Sequence, residues 1–226
     1  MKKLKEYQTK KTKIIVFDFD GVLAETIKIK GDVFYDTFYK YGKKIQQYAR
    51  KFHLSNIGLS REYKFKEILN FSEKQNNNKI LKEINLNFIS IYNRYKKKIK
   101  INKILFKFIL NNDDKYLFYI ASAAPKKEII DILRYNGLHK KFTAIYGSPI
   151  KKEDSIRKIL KDNKFKNKEN LIFIGDSIHD YLVAKKLNLN FIAYKLEIDI
   201  NKRNKVLKKS NQFTKIVNEY LDLNRI

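Results

Sequence analysis

Ile14-Ile15-Val16-Phe17-Asp18-Phe19-Asp20-Gly21-Val22-Leu23 is the stretch whose reading decides the fold. Four consecutive apolar residues mark a short buried strand, and two carboxylates and a glycine follow where the chain has to leave the sheet. An acidic pair at a strand end is costly to bury, so it calls for a metal or a solvent-filled crevice. In α/β sheets that crevice lies beyond the carboxyl ends of the strands, where Asp18 and Asp20 fall. Residues two apart in an extended chain point to the same side, so both carboxylates can face one reacting group. One can attack an electrophile, the other can manage protons, and a hard divalent cation such as Mg²⁺ can neutralise the charge they share.

Downstream, continuous apolar strands alternate with helical patterns. Strands are expected at Lys115 to Ala121, Thr143 to Tyr146, Asn170 to Ile174 and Phe191 to Tyr194. Helices are expected through Ile129–Leu133, ending near Gly137, through Ile156–Leu160 and through Leu182–Leu187. Such alternation predicts a parallel sheet buried on both faces. The tail is expected to be helical from about Thr214. Between Thr26 and Lys98 no strand pattern stands out. Apolar positions from Val33 to Phe52 recur at three and four, Ser60 is placed to cap a helix from Arg61 to about Phe71, and Lys79 to about Lys98 reads as a longer helix. Residues 24–100 are therefore a helical insertion between the first strand and the rest of the core.

Composition sets bounds on function. A chain of 226 residues can bury a substantial core. The absence of cysteine excludes structural disulfides and thiolate metal sites and points to the cytoplasm. Met1 to Lys13 is basic without an apolar stretch of signal-peptide length, and no later run approaches the ~20 residues of a membrane span. A soluble cytoplasmic protein with no membrane partner is expected; no pattern assigns an oligomeric state. The formal charge of +26 and pI near 9.9 raise nucleic-acid binding. The lysines, however, are spread along the whole chain among Ile, Asn and Tyr, and arginine is confined to Arg50, Arg61, Arg94, Arg134, Arg157, Arg203 and Arg225. Without an aromatic-basic recognition motif, this is a solvated lysine coat, and a non-catalytic nucleic-acid-binding protein is the distant alternative.

The opening stretch resembles motif one of the haloacid dehalogenase (HAD) superfamily, Asp-x-Asp-x-(Val/Thr), most of whose members are phosphatases. Three later strand ends resemble the remaining motifs in order. Ser122 resembles the motif-two hydroxyl that bonds a phosphate oxygen, with the adjacent backbone N–H of Ala123. Gly147-Ser148-Pro149-Ile150-Lys151-Lys152 resembles motif three, whose spacing selects Lys152, with Lys151 as the alternative. Gly175-Asp176-Ser177-Ile178-His179-Asp180 resembles motif four, Gly-Asp-x-x-x-Asp.

The resemblance implies a Rossmann-like three-layer α/β/α core with a parallel sheet, residues 1–23 and 101–226, and a helical C1 cap domain, residues 24–100. It implies Asp18 as nucleophile, Asp20 as general acid and base, and Lys152 as the neutralising cation. Mg²⁺ would be held by Asp18, the backbone carbonyl of Asp20 and Asp176, with Asp180 one helical turn behind them. Dehalogenases lack an acid at the position of Asp20, so this aspartate favours phosphate ester cleavage; phosphomutases keep both aspartates and remain the alternative activity. Within the insertion, Gly58-Leu59-Ser60-Arg61-Glu62-Tyr63-Lys64-Phe65 resembles the Gly-x-Ser-Arg-x-x-Lys-Phe cap segment of HAD proteins associated with surface-polysaccharide and nucleotide-sugar synthesis. Arg61, Lys64 and His53 are the expected substrate-binding residues there, with Lys30 a further candidate. The implied partner is a small phosphorylated metabolite, such as a sugar phosphate.

Overall fold

The structure is a computed structural model, and it describes residues 13–73, 77–163, 170–194 and 214–217. The chain divides into two compact units, one formed by Met1–Leu23 with Asn102–Ile226 and the other by Ala24–Ile101.

The first unit is built on a sheet of six parallel strands in the order β3-β2-β1-β4-β5-β6. They are β1 (Lys13–Phe17), β2 (Tyr116–Pro125), β3 (Ala144–Ser148), β4 (Leu171–Gly175), β5 (Asn190–Tyr194) and β6 (Thr214–Val217). In β1, Ile14, Ile15, Val16 and Phe17 are all fully buried, as a parallel strand covered on both faces requires. Ile14 and Val16 join Phe173, Phe191, Tyr181 and Ile156 in one hydrophobic cluster. This is a Rossmann-like α/β fold. Strand order reverses beside β1, between β2 and β4, and the carboxyl ends at that switch point form the usual ligand crevice.

Three features depart from the expected elements. The stretch after residue 101, to which no element was assigned, carries the helix Lys103–Asn111, anchored by buried Leu105, Phe108 and Ile109. Strand β2 runs on to Pro125 rather than ending at Ala121, with its pairing to β3 shifting between Ala121 and Pro125. The tail expected to be helical from Thr214 instead begins as β6 alongside β5: Thr214, Ile216 and Val217 are β-branched and favour the extended ladder. The remainder of that expected helix lies outside the described residues.

The second unit contains α1 (Ile27–Thr37), α2 (Lys43–Ser55), α3 (Arg61–Phe71) and α4 (Asn78–Tyr95), and α5 (Lys103–Asn111) and α6 (Lys126–Tyr135) follow in the first unit. The side chain of Ser60 accepts the N–H of Tyr63 at the start of α3, as its position before Arg61 predicts. Its core is aromatic: Phe34, Phe65 and Phe88 pack with ring centroids 5.1–5.7 Å apart. The ends of the unit are pinned to each other, with Ala24 and Ile101 forming an antiparallel bridge and the Glu25 N–H donating to the Lys100 carbonyl at 2.9 Å. No helix among the described residues is long and apolar enough to cross a membrane.

Asn102, where the chain returns to the first unit, fastens several elements. Its backbone N–H donates to the Leu23 carbonyl, and its side-chain oxygen caps the helix Lys103–Asn111 through the N–H groups of Ile104 and Leu105. Its amide nitrogen donates to the Val22 carbonyl and the Tyr194 hydroxyl. Losing a cap and leaving buried acceptors unpaired each cost about 1 kcal/mol or more, so Asn102→Ala is expected to lower stability by about 2–4 kcal/mol in urea denaturation. A loss below about 1 kcal/mol would show that these bonds are replaced by water.

Candidate active site

The site begins where β1 ends. The Asp18 N–H donates to the Ile174 carbonyl of β4 at 2.8 Å, so Asp18 leaves the sheet at the switch point. Its Oδ1 accepts the Phe19 N–H at 2.7 Å, which fixes the carboxylate against its own turn. Gly21, with φ +79°, permits the chain to reverse, and the Leu23 N–H closes the turn on the Phe19 carbonyl at 3.0 Å. Asp18 is buried, while Asp20, two residues on, is partly exposed.

Lys152 opens the helix α7 (Lys152–Asp162), and its ammonium meets two carboxylates. It lies 3.0 Å from Asp18 Oδ2 and pairs with Asp180 Oδ1. Lys151 precedes the helix and is exposed. The structure therefore brings Lys152, and not Lys151, to the acidic cluster. Ser122 is buried on β2, its hydroxyl accepting the Ala124 N–H at 3.3 Å and also hydrogen-bonding Asp18. Ala123 beside it is partly exposed.

At the end of β4, Asp176 and Asp180 complete the cluster. Ligand oxygens of Asp18, Asp176 and Asp180 lie within 4.8 Å of one another, and all three residues are buried. Asp180 lies in the first turn of the helix α8 (Ile178–Leu187), in a capping box with Ser177: its N–H donates to the Ser177 hydroxyl, and its Oδ2 accepts the Ser177 N–H and O–H. Both Asp180 oxygens are thus engaged, one by Lys152 and one by Ser177. Asp176 Oδ1, by contrast, is buried with no hydrogen-bond partner. An orphaned carboxylate oxygen beside two further carboxylates suits a hard divalent cation, which Asp176 would help to hold while Asp180 engages Lys152.

The electrostatics follow from burial. Desolvation pushes Asp18 up to about 6, opposed by Lys152 and reinforced by Asp180 and Asp20. Burial and the neighbouring Asp18 and Asp180 hold Asp176 well above the usual carboxylate range. Burial pulls the Lys152 ammonium down, but Asp18 and Asp180 outweigh it and hold its pKa above the ordinary lysine range. His179, half-buried beside them, is lowered by burial and then by Lys152.

Two contributors stand in motif four without a role assigned from the sequence. Ser177 orients Asp180, and its signal was present as Ser-x-x-Asp before an apolar run. Gly175 makes room: a Cβ there would stand 2.5 Å from the Asp180 Cβ and 2.8 Å from its Oδ2. Gly175→Ala is expected to cost about 1–3 kcal/mol in thermal or urea unfolding and to displace Asp180 from Lys152. Unchanged stability and activity would mean that α8 shifts freely.

In the helical unit, Lys64 and His53 are both buried, and Lys64 Nζ lies 3.1 Å from His53 Nδ1. His53 Nε2 donates to the Ile27 carbonyl at 3.1 Å, so both ring nitrogens are engaged within the protein. The Arg61 guanidinium lies 4.2 Å from the centroid of the Phe88 ring.

A comparison with curated proteins gives no significant match. Among solved structures the chain is similar to a haloacid dehalogenase-like family hydrolase from Streptococcus pneumoniae, at 20% identity and TM-score 0.70, covering 95% of this chain and 98% of that one. It is also similar to a "predicted phosphatase" from Clostridium acetobutylicum, at 21% identity and TM-score 0.73 over 95% and 99% of the two chains. A hydrolase from Pseudomonas syringae matches at 15% identity and TM-score 0.76 over 94% and 96%. These likenesses establish the fold. The family model described as haloacid dehalogenase-like hydrolase matches residues 15–194, a span that holds Asp18, Ser122, Lys152, Asp176 and Asp180, and the chain belongs to that family.

Proposed function

We propose that the protein is a Mg²⁺-dependent phosphomonoesterase acting through an aspartyl-phosphate on a small phosphorylated metabolite, such as a sugar phosphate or a related intermediate of glycan synthesis. The observation that carries this reading is the Lys152 ammonium shared between Asp18 and Asp180 with the orphaned Asp176 oxygen beside them. A nucleophilic carboxylate, a fixed cation and free hard-oxygen donors are what phosphoryl transfer needs from a protein.

In this mechanism Asp18, ionised above about pH 6, supplies the attacking oxygen. Its Oδ1 stays held by the Phe19 N–H, so the carboxylate is oriented before substrate arrives. Lys152 and Ser122 steady the oxygens of the transferring group, and Asp20 protonates the leaving alcohol, then takes a proton from the water that hydrolyses the acyl phosphate. Asp18, Asp176 and the Asp20 carbonyl would hold Mg²⁺, which when bound neutralises phosphoryl charge. The helical unit supplies the residues that select the remainder of the substrate, Arg61 and Lys64, and acts as the cap.

The direct test is phosphate release from a broad panel of phosphorylated metabolites, with Mg²⁺ and with a chelator. Metal-dependent release concentrated on one chemical class supports the reading; isomerised product with little free phosphate would instead mark a phosphomutase. A pH effect accompanies it. Protons and a cation compete for Asp18, whose carboxyl is protonated below about 6. Thermal stabilisation by added Mg²⁺ is expected to be full near pH 7.5 and largely gone by about pH 5, since Asp18 must lose its proton to bind the ion. In chelator the sign reverses: a carboxyl raised by burial contributes stability at low pH that is lost as pH rises through about 6. A Mg²⁺ shift independent of pH across this range would exclude Asp18 as a ligand.

A further inference from the structure

We propose that Gly147 is a positioning residue: without a Cβ, it lets β3 close against a bulge in β2 and so holds the Ser122 hydroxyl on Asp18. The catalytic consequence rests on the phosphoryl transfer proposed above, and the packing does not.

The bulge is read from strand register. Tyr119, Ile120 and Ala121 of β2 pair with Ala144, Ile145 and Tyr146 of β3, and pairing resumes at Pro125 with Ser148. Ser122, Ala123 and Ala124 therefore stand against Gly147 alone. Extra residues on one strand bend it and re-aim its side chains, and such bulges recur beside active sites. Here the re-aimed side chain is that of Ser122, which is buried on β2. Its hydroxyl accepts the Ala124 N–H at 3.3 Å across the bulge, which leaves its proton for the Asp18 carboxylate.

Gly147 is what this bulge leans on. A Cβ there would stand 2.5 Å from the Ala124 carbonyl oxygen, 2.7 Å from the Lys126 nitrogen and 2.9 Å from the Lys126 Cα. These are all backbone atoms, so no side-chain rotation relieves the contact. Either β3 withdraws or the segment from Ala124 to Lys126 moves, and Lys126 opens α6. Ala124 carries both the carbonyl that a Cβ would strike and the N–H that Ser122 accepts, so displacing it moves the hydroxyl as well. Gly147 has no left-handed φ, so glycine is needed here for space rather than for backbone conformation.

The test reads amide hydrogen exchange by NMR in the full chain, metal-free in chelator, with the buried Val16 of β1 as the reference for global opening. Gly147→Ala should raise Ala124 exchange relative to Val16 by about tenfold, the loss of one hydrogen bond, and Ser122→Ala, which removes the acceptor, should do the same. On a metabolite that releases phosphate, Gly147→Ala should lower kcat by about 10²-fold, the effect of a misplaced group. Added to Ser122→Ala, it should lower kcat by less than about twofold further, while its cost in urea denaturation is the same in both backgrounds. If circular dichroism shows that Gly147→Ala fails to fold, the pair Gly147→Ala/Ala124→Gly, whose bulge can rearrange around the new Cβ, carries the same readouts at residue 124. Parental exchange at residue 124 in a folded variant, or a kcat within about twofold of the parent, overturns the proposal. So do kcat losses that add across the two sites, which would place the effect on another residue such as Lys152. The exchange arm needs no turnover, so failure of the phosphatase reading appears separately, as a parent that releases no phosphate from the metabolite panel.

Discussion

Asp18→Asn is expected to abolish hydrolysis, lowering kcat by about 10⁴-fold or more, the loss seen when a covalent nucleophile is removed. The carboxamide keeps the shape of the side chain and can still accept the Phe19 N–H, and Lys152 retains Asp180 as its counter-ion. The fold should therefore survive, with stability within about 1–2 kcal/mol of the parent, so the lost activity reports chemistry rather than unfolding. Asp20→Asn should cost about 10²–10⁴-fold, the usual contribution of a general acid and base. Mass spectrometry of acid-quenched turnover should find a phosphoryl adduct on the peptide holding Asp18, and it should be absent from Asp18→Asn. Activity within about tenfold of the parent in Asp18→Asn would remove the mechanism.

Lys152→Met carries the second large effect, on both stability and rate. Its ammonium is buried between Asp18 and Asp180, and removing it leaves buried carboxylates without their cation. Breaking a buried pair on one side costs about 3–5 kcal/mol, which urea denaturation would register directly. Loss of the fixed cation should lower kcat by a further order of about 10²–10³-fold under conditions where the variant is folded. The double variant Lys152→Met/Asp180→Asn separates these effects. Neutralising Asp180 should recover part of the stability and none of the activity. Recovery of both would make Lys152 a structural counter-ion alone.

The acidic strand ends were legible because each joins an apolar run to a residue that such a run does not normally tolerate. Ile14–Phe17 before Asp18 and Leu171–Gly175 before Asp176 combine a buried-strand pattern with an acid, a conflict that calls for a counter-charge or a ligand. The motif spacing preferred Lys152 over Lys151, and the first turn of α7 is what buries the one and leaves the other exposed. Gly175 was quoted within a motif, but its steric role depends on Asp180 five residues later packing against its Cα. The helix Lys103–Asn111 was missed because its nearly continuous apolar run, Ile104-Leu105-Phe106 and Phe108-Ile109-Leu110, hides the helical period. The start of the tail was misread because the four residues Thr214–Val217 are too few to show a period, while the deciding contact is a strand partner some twenty residues back, from Phe191 to Tyr194.

Because the Asn102 N–H returns to the Leu23 carbonyl at 2.9 Å, the chain re-enters the core beside the point where it left. Residues 24–101 are in this sense a parenthesis: strand register, the turn at Asp18 and the acidic cluster are all written outside it. Recombination at two neighbouring joints could replace the parenthesis wholesale without rethreading the sheet.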